Sequence, residues 1–341
     1  MSGAITPLLD EQGLHTQFET RRGLVKAVDG VSFTLNRAET LGLVGESGSG
    51  KSVSCLSILR LVPQPAGRIV SGKILLDGED LMAKSKSEMR QIRGKRIAMI
   101  LQDPLTSLNP GMTVGNQVAE AIRIHQGLRG MALRKSVINI MTRVQIPQAE
   151  SRLKAYPHQM SGGMRQRVAG AIALSCQPSL LIADEPTTSL DATVQAQYLR
   201  LLVELQDQFD FGLIYVTHDL GIVAQLCDRV AVMYAGRIVE SGPVRSIFNN
   251  PRHPYTSALL QSIPKLEMRG KPLYTIKGQP PIPINLPPGC PFAPRCPQVM
   301  DTCRKIYPPL EVFDDAHTAT CWLHTDHADH AEQYPESGDS A

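Results

Sequence analysis

Eight consecutive residues hold the densest chemistry in this chain: Gly45-Glu46-Ser47-Gly48-Ser49-Gly50-Lys51-Ser52 sets three glycines, a lysine and a hydroxyl at fixed spacing. Gly45, Gly48 and Gly50 permit a turn tight enough to aim several backbone N–H groups inward, at the positive end of the helix that follows. Phosphate oxygens are the natural guest of such a cradle. Lys51 would reach the β- and γ-phosphates as a point charge, and the Ser52 hydroxyl would serve a bridging magnesium ion. Further along, Asp184-Glu185 closes the apolar run Leu180–Ala183, His218 follows the run Gly212–Val216, and Gln102 closes Arg96–Leu101. Carboxylates that terminate a buried apolar strand point to chemistry, because an open sheet presents its ligands at strand ends. Ser161-Gly162-Gly163 supplies an N-cap serine beside glycines, which leaves N–H groups free and makes a second anion-binding helix start.

These residues need elements to position them. Leu41–Val44 reads as a short buried strand and Ser52–Leu61 as a helix ending before Pro63, which is the strand–loop–helix setting a phosphate loop requires. Leu14–Phe33 reads as two β segments, and Ile69–Asp77 as a peripheral strand followed by the turn Asp77-Gly78. A loop with Asp103-Pro104 and Asn109-Pro110 follows Gln102. From Thr113 to Val144 the apolar residues Leu133, Val137, Ile140, Met141 and Val144 take helical spacing, so 111–160 is expected to be mostly helical. Met164, Val168, Ala171, Ile172 and Leu174 mark the apolar face of the next helix, and Val194 to Phe209 another. Arg229–Tyr234 and Ile238-Val239 form a hairpin around Ala235-Gly236. Strands separated by helices in this order imply an α/β fold with a largely parallel sheet and helices on both faces.

The chain has 341 residues, too many for one compact core, so a large domain with an appendage is expected. Hydrophobic residues at 42% and charged residues at 20% suit a soluble protein. The net charge of +3, with no Lys/Arg block, argues against a dedicated nucleic-acid binder. No run approaches the roughly 18 apolar residues of a membrane span. The segment Met1–Glu11 carries acids and lacks the apolar core of a signal peptide, so a cytosolic location is expected. Four of the seven cysteines, Cys290, Cys296, Cys303 and Cys321, crowd the last fifth of the chain in the spacing C-x5-C-x6-C-x17-C. A reducing compartment favours metal or cofactor ligation over disulfides, and a Pro-rich segment poor in core residues needs a staple. The spacing matches neither zinc pairs nor the common ferredoxin pattern, so structural zinc and an iron–sulfur cluster both remain open on spacing. After Leu323 the chain turns polar and acidic, and residues 326–341 are expected to be a disordered tail.

With these residues in order, 18 to about 241 resembles the ATP-binding subunits of ABC transporters. Gly45–Ser52 is similar to Walker A, Gln102 to the Q-loop, Ser161-Gly162-Gly163 to the signature, Leu180–Glu185 to Walker B, Ser189-Leu190-Asp191 to the D-loop and His218 to the switch histidine. One departure is Met164, where the usual signature continues with Gln. Pro251-Arg252-His253-Pro254-Tyr255-Thr256, Leu259-Leu260 and the Pro-rich stretch Gly278–Pro288 resemble the extension of the dipeptide/oligopeptide (and nickel) importers. The resemblance implies a nucleotide-binding domain of the P-loop NTPase type over 1–250, with an antiparallel β subdomain and a helical subdomain at about 103–160. An importer-type extension over 251–325 and the tail 326–341 would follow.

The resemblance also implies ATP and Mg2+ as cofactors and ATP hydrolysis as the activity. Ser52, Gln102 and Asp184 would hold the metal, Glu185 would orient or deprotonate the attacking water, and His218 would contact the γ-phosphate. Phe18, the only aromatic before Phe33, would stack on adenine. It further implies a [4Fe-4S] cluster on Cys290, Cys296, Cys303 and Cys321, with Zn2+ as the alternative. The implied partners are a second ABC ATPase subunit (a heterodimer), two membrane permeases and, indirectly, a solute-binding protein, with no nucleic acid. The implied place is the cytoplasmic face of the inner membrane. Dipeptides or oligopeptides are the implied cargo, with nickel or glutathione as the alternative. ABC-type ATPases of DNA maintenance carry long coiled coils or zinc modules within the domain, and the stretch 52–161 has neither long heptads nor a cysteine cluster.

Overall fold

The computed structural model describes residues 6–102, 107–264, 274–284 and 286–325. The loop at Asp103-Pro104 and the tail 326–341 lie outside the described residues. Two sheets form the frame. The first is antiparallel, with strands β1 (Leu9–Thr20), β2 (Gly23–Leu35), β4 (Gly67–Leu76) and β5 (Glu79–Asp80) in the order β2-β1-β4-β5. The second contains β3 (Thr40–Val44), β6 (Ile97–Ile100), β7 (Leu180–Asp184), β8 (Gly212–Thr217), β9 (Arg229–Tyr234) and β10 (Arg237–Pro243), edged by the short strands β11 (Glu311-Val312) and β12 (Thr318-Ala319). Its order is β11-β12-β10-β9-β3-β8-β7-β6, parallel from β9 to β6 and antiparallel beyond. This is the α/β architecture expected, with its largely parallel sheet, antiparallel β portion and helical portion.

The central strands are apolar on both faces because both faces are covered. Ile97, Leu180, Ile182, Ile214 and Val216 point toward the antiparallel sheet and α1 (Lys51–Ile58). Their neighbours Ala98, Ile100, Leu181, Ala183, Leu213 and Tyr215 point to the opposite layer. There they meet α3 (Val114–Gln126), α4 (Gly130–Arg143), α6 (Gly162–Leu174) and α7 (Ala192–Phe209); α2 (Lys86–Ile92) and α5 (Ala149–Arg152) precede and interrupt this set. Period-2 alternation along each strand thus divides the interior into two cores. A third core joins β9 and β10 to the residues beyond 250, with Val230, Val232 and Tyr234 packed against Tyr255, Phe292 and Trp322.

Register aligns the functional ends. Val44 pairs with Thr217 and Val232, and Asp184 pairs with Val216, so β3, β7, β8 and β9 finish at one level. The loops that begin at Gly45, Glu185 and His218 therefore leave the sheet side by side.

One acid is buried within a polar stretch of sequence. Glu11 sits in the polar-looking run Asp10-Glu11-Gln12, yet on β1 it faces inward at 1% exposure, and neither carboxylate oxygen has a hydrogen-bond partner among the described residues. Burial pushes its carboxyl well above the usual range. A raised folded-state value means that the neutral acid is the form the fold accepts. The stabilisation is fully present below the unfolded value and is lost as pH rises through the folded one, at about 1.4 kcal/mol per pH unit between the two. Thermal melts between about pH 5 and pH 8 should therefore show the wild type losing stability relative to Glu11→Gln. Equal slopes for the two proteins would mean that Glu11 does not titrate in this range.

Candidate nucleotide site

The loop from Gly45 to Gly50 is held in a shape that only glycine accepts at two points. Gly45 has φ +152°, and a Cβ there would stand 2.2 Å from the Met233 carbonyl oxygen; Gly50 has φ +105°, with the Ala27 oxygen at 2.3 Å. Ser49 N–H turns back to Glu46 O at 3.2 Å, and Gly236 N–H donates to Ser49 O at 2.9 Å, so the hairpin between β9 and β10 braces the loop. Lys51 is buried with its ammonium inside the loop, donating to Gly45 O at 2.7 Å, Glu46 O at 3.0 Å and Ser49 Oγ at 3.3 Å. Burial pulls its pKa below the usual lysine value, against the opposing pull of Glu185 and Asp184.

The residues at the strand ends converge on this loop. Ser52 Oγ donates to Asp184 Oδ1 at 3.1 Å. Gln102 Nε2 donates to Glu185 Oε2 at 3.1 Å, Thr188 Oγ1 donates to the same oxygen at 3.2 Å, and His218 Nδ1 stands 3.3 Å from it. Burial raises the Asp184 pKa, with the nearby Glu185 charge adding to the rise and the Ser52 hydroxyl opposing it. Glu185 adopts φ +44°, a left-handed conformation that costs a non-glycine residue about 1–3 kcal/mol and is held by its N–H to Val216 O at 3.0 Å. Lys51, Ser52, Gln102, Asp184, Glu185 and His218 thus gather at one place, with Ser52 bonded to Asp184, Gln102 and His218 meeting Glu185, and Lys51 coupled to both carboxylates by charge. Ser52 and Asp184 offer adjacent hard oxygens, the donor type that suits magnesium.

Ser47 and Ser49 belong to the loop itself. Ser161 caps α6 with its Oγ accepting from Met164 N–H at 3.3 Å; Gly162 and Gly163 lie against Leu190 and Val194 rather than the phosphate loop. Asp191 Oδ1 accepts from Thr193 and Val194 N–H and so caps α7. Phe18 lies on β1 between Val25 and Gly67, half-buried, and a Cβ on Gly67 would come 2.6 Å from its ring. Two residues away, Thr16 Oγ1 bonds Ser57 Oγ of α1 at 2.8 Å, which ties that strand to the helix of the phosphate loop.

Contacts from beyond residue 250 had no precursor in the sequence reading. Tyr255, on α10 (Pro254–Gln261, after α8 at Leu220–Leu226 and α9 at Val244–Asn249), accepts the Glu46 N–H at 2.9 Å. Arg295 pairs with the Glu46 carboxylate. Tyr274, Thr275 and Ile276 line a cavity of about 300 Å³ shared with Gly45, Glu46 and His218. Thr188 was missed as well, because it lies three residues beyond a glutamate and meets it only once the turn is folded.

Cys290, Cys296, Cys303 and Cys321 are free thiols that line one cavity of about 20 Å³ with His253, Phe292 and Trp322. Burial pushes the Cys290 thiol up to about 11 and Cys321 up to about 12, while backbone N–H groups at Phe292 and Leu323 oppose the rise by bonding to the sulfurs. Four soft donors with N–H groups aimed at sulfur fit a thiolate-bound metal chemically. Among the described residues, however, no group of three or more His, Cys, Asp or Glu is arranged to hold a metal ion. The quartet is a donor set gathered in one place, not a formed ligand shell, and the cavity has room for about one water.

Comparison with known proteins fixes the family. The family described as "ABC transporter" matches residues 28–188, and "Oligopeptide/dipeptide transporter, C-terminal region" matches 239–303. The chain is 51% identical over 324 residues to the dipeptide transport ATP-binding protein DppD of Bacillus subtilis, covering 95% of this chain and 97% of that one. The chain belongs to the ABC transporter ATP-binding family. Its similarity to the oligopeptide transport ATP-binding protein AppD of the same organism is 46% over 320 residues, covering 94% and 98%. Among solved structures, cbiO1 of Clostridium perfringens, part of the ABC transporter complex cbiONQ, has 29% identity and a TM-score of 0.61 over 72% of this chain and 92% of that one. The dimeric ATP-binding cassette MJ0796 bound to ADP and Pi shares the fold at TM-score 0.62 and 23% identity, over 70% and 99%. As a member of the ABC family this chain is an ATPase. No helix among the described residues is long and apolar enough to cross a membrane.

Proposed function

We propose that this ABC ATPase energises the import of dipeptides or oligopeptides across the cytoplasmic membrane, from its inner face. The observation that carries the cargo class is the near full-length identity to a dipeptide transport ATP-binding protein, joined by the oligopeptide/dipeptide C-terminal region over 239–303. The backbone from Gly45 to Ser52 would take the phosphates and Phe18 the adenine. Lys51 would exchange its loop carbonyls for β- and γ-phosphate oxygens. Ser52, Asp184 and Gln102 would hold Mg2+, which supplies charge neutralisation across the β- and γ-oxygens when bound. Glu185 would orient or accept a proton from the attacking water, and His218 would contact the γ-phosphate. Each ATP would be completed by Ser161, Gly162 and Gly163 of a second ABC subunit closing head to tail. The position of that helix start against Leu190 and Val194 of its own chain supports this reading.

The domain division that suits this reading is an ATPase domain over 1–250, with its helical part at about 103–160, and an extension over 251–325. A groove of about 1060 Å³ among α3, α4 and α5, lined by Leu133, Val137 and Ile138, suits a permease segment. Cys290, Cys296, Cys303 and Cys321 would hold a structural [4Fe-4S] cluster or Zn2+, for which the gathering of four thiols and the N–H groups at sulfur speak. Co-purification with two membrane permeases should yield an ATPase stimulated by a peptide-loaded solute-binding protein. Stimulation by nickel or glutathione in place of peptides would move the cargo assignment. The same anaerobic preparation should contain about four irons with sulfide per chain, or one zinc; metal-free folded protein would remove the metal reading.

A further inference from the structure

Arg295 immediately precedes Cys296, yet its side chain is 5% exposed and its guanidinium is turned onto the phosphate loop. Nη1 donates to Glu46 Oε2 at 2.6 Å and Nη2 to Glu46 Oε1 at 3.0 Å. The same group is fixed from behind, with Nη1 donating to Tyr234 Oη at 3.2 Å and Nε to Lys277 O at 3.1 Å. Glu46 is thus gripped at its side chain by Arg295 and at its N–H by Tyr255, both from beyond residue 250. Its carbonyl in turn accepts from Lys51 Nζ at 3.0 Å. A continuous path of bonds therefore runs from the cysteine-rich extension through Arg295 and Glu46 to the lysine of the phosphate loop. Tyr234, Tyr255 and Phe292 pack as edge-on or tilted rings 4.6–5.3 Å apart, and the Arg295 guanidinium lies over the Tyr234 and Phe292 rings, so Arg295 has little room to turn away.

We propose that Arg295 is a positioning residue for nucleotide binding: its fork on Glu46 holds the first limb of the phosphate loop in the receiving conformation, so the extension sets the ATP affinity of its own subunit. This rests on the reading of Gly45–Ser52 as the nucleotide site. A bidentate guanidinium–carboxylate pair fixes orientation as well as distance, which an ammonium cannot reproduce. Without it, binding would have to pay for ordering the Glu46-Ser47 limb, and the loss would fall on affinity rather than on the chemical step.

The test uses the full chain, with MgATP binding measured directly and KM and kcat measured in parallel. Arg295→Gln should weaken binding about tenfold and raise KM by a similar factor, with kcat changed less than about twofold. Glu46→Gln should do the same, and the double variant should lose about as much as the worse single one, because both remove one shared contact. Arg295→Lys keeps charge and packing but not the fork, and should weaken binding by about threefold. Circular dichroism and metal content of each variant report whether the extension stays folded; if Arg295→Gln loses either, Arg295→Lys decides. Wild-type affinity in a folded Arg295 variant, or single effects that multiply in the double variant, would overturn the proposal. Lys51→Ala separates the two readings. Its weakened binding beside unaffected Arg295 variants removes only the role of Arg295, whereas ATP binding at wild-type affinity in Lys51→Ala removes the loop as the nucleotide site.

Discussion

Replacing Glu185 with Gln is expected to lower ATP turnover by roughly 10²–10³-fold while leaving ATP binding nearly intact, because the amide keeps the size of the side chain and loses its capacity to take a proton. The geometry around this residue makes the substitution a clean one. Glu185 directly follows β7 in a left-handed conformation, and Gln102, Thr188 and His218 all crowd its Oε2, so the side chain has little freedom to swing away. A glutamine can keep an acceptor oxygen toward Gln102 and Thr188 by presenting its carbonyl there, which preserves the network without its charge. Lost hydrolysis with retained binding should trap ATP on the protein, measurable as a long-lived nucleotide complex in a filter or gel-filtration assay. Hydrolysis at a near wild-type rate would assign the water to another group, and the crowding at Oε2 would then be purely structural.

How much of this was legible in the sequence differs by range of contact. Gln102, Asp184, Glu185 and His218 were readable because each ends or follows an apolar run. In a parallel sheet strand ends are also where ligands meet, so local pattern and site coincide. The phosphate loop was readable for a similar reason, since its glycines satisfy a backbone demand made within eight residues. Glu11 was not readable. Its neighbours Asp10 and Gln12 make the run look solvated, and only the pairing of β1 with both β2 and β4 turns it inward. The extension was legible in composition and opaque in placement. Nothing local to Thr318 or Glu311 announces that they will edge the main sheet beside β10. Nor does anything local to His317 announce its 2.7 Å contact with the buried Glu240, whose carboxylate also accepts from the N–H groups of Arg252 and His253. The pair of Arg295 and Glu46 is separated by 249 residues, and no periodicity links two such positions. Cysteine spacing likewise indicated a shared site without its geometry, because the four thiols reach one cavity through turns that no repeat dictates.

Lys51→Ala should weaken ATP binding by about 10–100-fold, the range set by losing one or two charge-assisted hydrogen bonds of about 1.5–3 kcal/mol in all. In the free chain the ammonium is spent on the loop itself, through the carbonyls of Gly45 and Glu46 and the Ser49 hydroxyl. Binding therefore exchanges these neutral acceptors for phosphate anions, and what counts is the difference between the two sets. Burial that pulls the lysine pKa down works in the same direction, because a cation stripped of water gains more from an arriving anion than a solvated one does. Alanine removes the charge and also the three contacts that close the empty loop, so a small loss of stability should accompany the loss of affinity. Lys51→Met separates these contributions. It keeps most of the side-chain volume in the loop and none of the charge, so its affinity should fall as far as that of Lys51→Ala while its melting temperature stays nearer the wild type. Calorimetric titration with MgATP beside thermal melts without nucleotide would read both quantities. Wild-type affinity in Lys51→Met would, like wild-type affinity in Lys51→Ala, take the phosphates away from this loop and leave Lys51 only the shaping of the loop itself.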